Sequence, residues 1–227
     1  MEKNLTNRPG VGLTCCRVFS LLLNLALVGI ELFSIPVCWQ VLGWEMFTFY
    51  TQDFNMLGMA ACALTAWHQA AALRTGRPLP LWVKRFKFVA TCCLVMILGT
   101  VVFILAPLYG PGGYALLLFS GEMLSNHLVN PLLAAVSLLL FERETRLPLR
   151  TVGLALLPTL AYGGALLALN LGRWVKGPYT FFYIYEQTPQ ETAAWFALIL
   201  ASNLVYAGAL WLLGGNRNRR VHSAMNE

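Results

Sequence analysis

Apolar residues fill six long stretches of the chain, separated by short polar stretches that contain proline and glycine. Each apolar stretch reaches about 20 residues, the length that an α-helix rising 1.5 Å per residue needs to cross a bilayer. The pattern predicts an all-α fold: a six-helix transmembrane bundle forming one integral membrane domain over residues 1–227. The predicted spans are 16–39, 47–73, 82–107, 114–141, 151–172 and 193–213.

The composition agrees with a membrane protein. Hydrophobic residues make up 58% of the chain and charged residues only 11%, with a mean hydropathy of +0.62. A soluble domain carries about 25% charged residues. Six spans with short connections use nearly the whole chain, so no separate soluble domain is expected.

The basic residues predict the orientation. Apart from Arg173 and Lys176, every Lys and Arg lies at one membrane edge: up to the start of the first span, between the second span and the start of the third, or after the fourth or sixth. Cytoplasmic loops are enriched in these residues, so both termini are predicted to be cytoplasmic, which requires an even number of crossings. Because the basic clusters follow the membrane edges, the net charge of +6 does not indicate a nucleic-acid partner.

Polar residues interrupt two of the apolar stretches. The second span opens with Tyr50-Thr51-Gln52-Asp53-Phe54-Asn55, and the first carries Glu31. Ionisable and polar groups inside a bilayer are costly unless paired, so they are functional-site candidates by default. The fourth span holds Glu122, Asn126, His127 and Asn130.

These residue types match an acyl-transfer site. The hydroxyl of Thr51 is a weak nucleophile until a base removes its proton, and His127 is a base that titrates near neutrality. Asp53 or Glu122 would orient the imidazole, as the acid of a catalytic triad does. Donors to the oxyanion would come from Asn55, Asn126 or Asn130.

Other interpretations of the same residues remain open. A threonine in a spanning helix often bonds a carbonyl of its own helix, and an intramembrane histidine often only bridges helices. Glu31, Asp53 and Glu122 would also suit a proton- or ion-coupled transporter, although the chain has no inverted repeat. A non-catalytic lipid-binding protein is a third possibility. The single histidine and scattered acids lack a ligand spacing, so neither a metal nor an organic cofactor is predicted.

An aromatic segment joins the fifth and sixth spans. Five of the ten residues 177–186 are aromatic. They predict either an interfacial aromatic belt or a lid over the bundle that admits an acyl chain. The candidate pocket or lid residues are Glu31, Tyr50, Tyr179, Phe182 and Tyr183.

Two motifs carry a resemblance to a known family. The stretch 50–55 is similar to the aromatic-Thr stretch, closed by Asn, of the androgen-induced-gene family, and His127-Leu128-Val129-Asn130-Pro131 resembles its His-x-x-x-Pro. This family comprises the androgen-induced and androgen-dependent TFPI-regulating proteins and their prokaryotic relatives.

The resemblance implies an activity. The animal members look like six-span membrane threonine hydrolases that cleave fatty-acid esters of hydroxy fatty acids. It therefore implies Thr51 as nucleophile, His127 as general base and a membrane lipid or acyl chain as substrate. The short loops resemble those of prokaryotic relatives, so a prokaryotic cell membrane is the expected location.

Overall fold

The structure, a computed structural model, describes residues 11–143 and 146–215. Among these residues, six helices are long and apolar enough to cross a membrane. This confirms the predicted all-α bundle and indicates an integral multi-pass membrane protein. A seventh, short helix precedes the fourth span. The helices are α1 Val11–Leu42, α2 Tyr50–Thr75, α3 Leu81–Leu108, α4 Gly113–Phe119, α5 Gly121–Phe141, α6 Arg150–Leu171 and α7 Pro189–Gly215.

Helix α2 begins at Tyr50, three residues later than predicted. The residue before it, Phe49, is extended, and a 3-10 helix over Gly43–Thr48 connects it to α1. Thr51 is therefore the second residue of α2. A helix N-terminus leaves its first backbone N–H groups without partners in the helix, so Thr51 lies among such donors.

The predicted fourth span, 114–141, is wrong as one continuous helix. Ser120 is extended, with φ −114° and ψ 129°, and Gly121 has φ +47°, so the chain breaks between α4 and α5. Glycine adopts this left-handed region without the steric cost that a side chain adds. In an unbroken helix the carbonyl of Leu117 would accept the N–H of residue 121, and the break removes that partner.

A proline shapes the middle of α5. Pro131 has no N–H to donate to the preceding turn. The turn over Ser125–Val129 is π-helical, and the N–H of Asn130 bonds the carbonyl of Ser125, five residues earlier. In this register the carbonyl of Asn126 faces Pro131 and has no backbone donor. Such π-helical turns are frequent at functional sites.

Polar side chains occupy the centre of the bundle. On α1 the buried positions recur every three or four residues and so form one face of the helix. This face packs against α2 and α5. Of the 18 most apolar consecutive residues, 22% are buried in α6 and 17% in α7, against 56% in α3. Helices α6 and α7 therefore lie at the periphery. The buried face of α1 comprises Arg17, Ser20, Asn24, Leu27, Glu31, Ser34 and Cys38.

We call the end at which α1 begins and α2 ends the terminal end of the bundle. A buried charged cluster lies near this end, and sequence reasoning missed it. Lys87 counted as a loop charge in the topology prediction, but it lies within α3 and is 1% exposed. Its Nζ donates to Asn24 Oδ1 at 2.7 Å and to Cys62 Sγ at 2.9 Å. Asn24 Nδ2 donates to Glu142 Oε1 at 2.9 Å, so Asn24 links the two opposite charges.

This link gives a stability prediction. The Lys87→Met variant should lose about 3–5 kcal/mol of folding free energy, because it leaves Asn24 Oδ1 without its donor and the Glu142 charge uncompensated. The double variant Lys87→Met with Glu142→Gln should recover part of that loss. Thermal unfolding in detergent measures both. If the losses of the Lys87→Met and Glu142→Gln single variants simply add in the double variant, Asn24 does not couple the two charges.

Candidate active site

The structure brings Thr51 and His127 together. The Oγ1 atom of Thr51 on α2 lies 3.3 Å from Nε2 of His127 on α5. The two side chains are only 8% and 6% exposed. A hydroxyl and an imidazole nitrogen at this separation are within hydrogen-bond reach for proton transfer, particularly before a substrate is bound.

The second ring nitrogen of His127 defines its tautomer. Nδ1 lies 2.7 Å from the carbonyl oxygen of Leu117. A carbonyl oxygen only accepts, so Nδ1 carries the proton and the lone pair of Nε2 points to Thr51. The break between α4 and α5 makes this carbonyl available. A backbone group therefore has the orienting role that was expected of Asp53 or Glu122.

Asp53 and Glu122 lie elsewhere. Asp53 is half-buried and lines a groove beside α6. It follows Thr51 by two residues, about 200° around the helix, so the two side chains leave α2 on different faces. Glu122 is half-buried in the first turn of α5. Neither carboxylate bonds His127. The three acids of the predicted spans, Glu31, Asp53 and Glu122, therefore do not form one cluster.

Three asparagines hold the pair in place and do not serve as oxyanion donors. Asn55 Nδ2 donates to the carbonyl of Thr51 at 2.8 Å and to the carbonyl of Asn126 at 3.1 Å. The second bond satisfies the carbonyl that faces Pro131. Asn55 therefore links Thr51 to Asn126, the residue directly before His127. The amide nitrogens of Asn55, Asn126 and Asn130 all have acceptors within the bundle, whereas the predicted role needs a free donor beside Thr51 Oγ1.

Glu31 belongs to this network and does not line the cavity beside Thr51. It is fully buried, and its Oε1 accepts from Asn130 Nδ2 at 2.6 Å. Asn130 Nδ2 also donates to Asn55 Oδ1 at 3.1 Å, and Ser34 Oγ donates to Asn126 Oδ1 at 3.1 Å. Glu31 is thus part of the support for α1, α2 and α5, not a pocket or lid residue as expected.

Backbone donors at the start of α2 lie beside the Thr51 hydroxyl. The N–H groups of Gln52 and Asp53 bond the carbonyl of Phe49. Those of Tyr50 and Thr51 have no acceptor in the helix, and the phenolic oxygen of Tyr179 lies close to them. Burial raises the pKa of Tyr179 to about 12, while the Thr51 side chain and these two N–H groups act in the opposite direction. Tyr179 is therefore a neutral hydroxyl at physiological pH.

An apolar cavity of about 170 Å³ opens beside Thr51. Thr51, Tyr50 and Tyr179 line one end, and α3, α6 and α7 supply most of the remaining walls. Gly164 and Leu160 of α6 line it and are exposed toward lipid, so the cavity can be reached sideways from a bilayer.

The aromatic segment between α6 and α7 covers this cavity. Phe181 and Phe182 are 5% and 3% exposed and line it, so this part of the segment packs into the bundle as a lid. Tyr183 does not line the cavity. The ammonium of Lys176 lies 4.1 Å above the Tyr183 ring, so Tyr183 belongs to the outer surface of the segment.

The cavity has a polar patch that sequence reasoning missed. The hydroxyls of Tyr50 and Thr159 are 2.9 Å apart, and Asn203 Nδ2 donates to Thr159 Oγ1 at 2.8 Å. The patch joins α2, α6 and α7. Asn203 is a polar residue inside the apolar sixth span, and that was the available signal.

Comparisons of the chain with models of known protein families, with curated proteins and with solved structures find no match. The resemblance to the androgen-induced-gene family is thus carried by the two short motifs alone. What the geometry adds is a physical role for each: the first places Thr51 and Asn55 on one face of α2, and the second supplies His127 and Pro131.

Proposed function

We propose that this protein is a membrane-embedded hydrolase of lipid carboxylic esters, with Thr51 as nucleophile and His127 as general base. One observation carries the proposal: a hydroxyl faces the unprotonated nitrogen of an imidazole at 3.3 Å, and that hydroxyl borders an apolar cavity. A threonine that only packed would bond its own helix, as Thr65 does with the carbonyl of Ala61 at 2.8 Å.

The chemistry proceeds in two halves. Thr51 Oγ1 attacks the ester carbonyl carbon while its proton passes to His127 Nε2. The C–O bond of the leaving alcohol then breaks, the imidazolium returns the proton to that oxygen, and an acyl ester of Thr51 remains. His127 next takes a proton from water, which attacks the acyl carbon. Thr51 leaves with the proton held by His127, and a fatty acid is released.

The start of α2 supplies stabilisation for the intermediate. The carbonyl oxygen becomes negative when Thr51 attacks, and preorganised N–H donors stabilise such an oxyanion. The N–H groups of Tyr50 and Thr51 have no acceptor in the helix, and the Tyr179 hydroxyl lies close enough for both to lower its pKa. The substrate oxygen would take the place of this hydroxyl as the lid segment moves. The positive end of the helix dipole favours the same charge.

The cavity limits the substrate class. Because one water needs about 10–15 Å³ of accessible space, 170 Å³ admits a chain of several methylene groups. The preferred acyl group would be of medium length. The family resemblance suggests that the substrate is a fatty-acid ester of a hydroxy fatty acid. It also suggests that the protein lies in a prokaryotic cell membrane. Positive charges at the terminal end support the proposal that both termini are cytoplasmic, with the site toward the outer leaflet.

Fluorogenic esters of increasing chain length test the proposal. The purified protein in detergent should hydrolyse an octanoate ester faster than the acetate or palmitate ester. Gly164→Trp should lower octanoate hydrolysis roughly tenfold, because the indole enters the cavity, while acetate hydrolysis changes much less. Gly29→Trp, at an exposed glycine of α1 with open space around it, is the matched control. Equal losses for both esters in Gly164→Trp would argue against an acyl-chain cavity.

A further inference from the structure

A second, larger groove lies on the other side of α6 from the cavity. Its volume is about 600 Å³, and α2, α3 and α6 form its walls. On α6 it extends from Leu154 to Leu169, about 22 Å at 1.5 Å per residue. This exceeds one leaflet of a bilayer whose hydrocarbon core is about 30 Å thick. Leu157 is 58% exposed, so the groove faces lipid along its side.

The walls of the groove are apolar apart from Asp53 and Thr48, at the start of α2. The Thr48 carbonyl already accepts the hydroxyl of Tyr162 at 2.7 Å. Trp39 and Trp44 form an edge-to-face pair nearby in sequence, and such aromatic residues mark the headgroup level of a membrane. Asp53 lies in the first turn of α2, the span that follows these residues, and so close to the headgroup level.

The Asp53 carboxylate has no hydrogen bond or ion pair within residues 11–143 and 146–215. The basic residues at this end of the bundle are engaged elsewhere. Lys176 Nζ pairs with Glu186 Oε1 at 2.6 Å, and the Arg173 guanidinium lies 4.7 Å from the centre of the Tyr185 ring. A carboxylate at membrane depth needs a partner, and the bundle offers it none.

We propose that this groove binds one phospholipid with a protonated primary amine in its headgroup, of the phosphatidylethanolamine type. One acyl chain lies along α6 from the level of Tyr162 toward Leu154, and the ammonium donates to the Asp53 carboxylate. A primary ammonium has three N–H donors, whereas the quaternary amine of a choline headgroup has none. A glycerol headgroup has hydroxyls but no positive charge. Charge-assisted hydrogen bonds therefore select the amine.

This site is separate from the hydrolase site. The aromatic rings of Tyr50, Phe54 and Tyr162 pack against one another between the groove and the cavity. Binding of the amine lipid therefore does not require Thr51, and the Thr51→Ala variant should bind it as the wild-type protein does. The proposal and the proposed function can consequently fail independently.

Native mass spectrometry of the full-length protein tests the site. The protein in detergent is mixed with equal amounts of ethanolamine, choline and glycerol phospholipids that have identical acyl chains. The ethanolamine adduct should exceed each of the others roughly tenfold, the ratio expected for one hydrogen bond to a charged group. Asp53→Asn should reduce it to the choline level while leaving ester hydrolysis unchanged.

Groove-filling variants show where the lipid lies. Ala161→Trp, in the wall of the groove, should abolish the ethanolamine adduct, while Gly29→Trp, at an exposed glycine of α1 outside the groove, should not. Equal binding of the three lipids would overturn the amine specificity. An ethanolamine preference that survives Asp53→Asn would overturn the role of Asp53. An adduct that survives Ala161→Trp would place the lipid elsewhere.

Discussion

The Thr51→Ala variant is expected to hydrolyse lipid esters at least about 10³-fold more slowly than the wild-type protein, because removal of a catalytic nucleophile typically costs this much or more. The methyl group of alanine leaves His127 without a hydroxyl to deprotonate, and no acyl ester forms. The change removes few packing contacts, so the fold should persist. Hydrolysis of the octanoate ester in detergent measures the loss.

The chain offers a matched control for this variant. Thr65 lies on the same helix, is fully buried and bonds the carbonyl of Ala61. The Thr65→Ala variant should therefore retain hydrolysis. Thr51→Ser, which keeps the hydroxyl, should retain a measurable rate. A Thr51→Ala variant as active as the wild type would exclude Thr51 as nucleophile.

The His127→Gln variant is expected to lower ester hydrolysis by about 10²–10⁴-fold, the usual contribution of a general base. Glutamine is polar and similar in reach, so it can bond the carbonyl of Leu117, but it cannot accept a proton from Thr51 near neutrality. The loss should appear mainly in kcat, because the apolar cavity that holds the acyl chain is unaltered. Initial rates over a range of octanoate ester concentrations separate kcat from KM.

His68 provides the corresponding control. It lies on α2 near the terminal end of the bundle, where its ring packs edge-on against Trp82 with 5.7 Å between centroids. The His68→Gln variant should keep both kcat and KM. If His68→Gln and His127→Gln reduce the rate equally, the effect comes from general destabilisation and not from proton transfer.

The topology of this bundle could be predicted because hydropathy and length are properties of long stretches. The six apolar stretches correspond to the six spanning helices among the described residues. The break at Ser120 and Gly121 could not be predicted in this way, since apolar residues continue on both sides of it. A single left-handed glycine changes the path of the chain without changing the mean hydropathy.

The pair of Thr51 and His127 could be proposed from residue type, but its orienting partner could not. That partner is the backbone carbonyl of Leu117, and every residue has a carbonyl, so no side chain marks it. The predicted role of Asp53 as the acid that orients His127, in contrast, could have been rejected from the sequence. Residues two apart on a helix point in nearly opposite directions, whereas Asn55, four residues from Thr51, shares its face.

The buried cluster around Lys87 shows how a topology rule conceals a structural role. Lys87 lies near the membrane edge and was counted with its basic neighbours. In the structure its ammonium reaches Asn24 and Cys62 in the bundle core. Position alone cannot distinguish a lysine at the membrane surface from one that turns inward, since both lie near a helix end.

The central claim, that Thr51 is an activated nucleophile, is tested most directly by covalent labelling. A fluorophosphonate carrying an alkyl chain is incubated with the purified protein, and the modified residue is located by mass spectrometry of proteolytic peptides. The phosphonyl group should be found on Thr51, and labelling should disappear in Thr51→Ala and fall strongly in His127→Gln. Labelling of another residue, or labelling that persists unchanged in Thr51→Ala, would contradict the account.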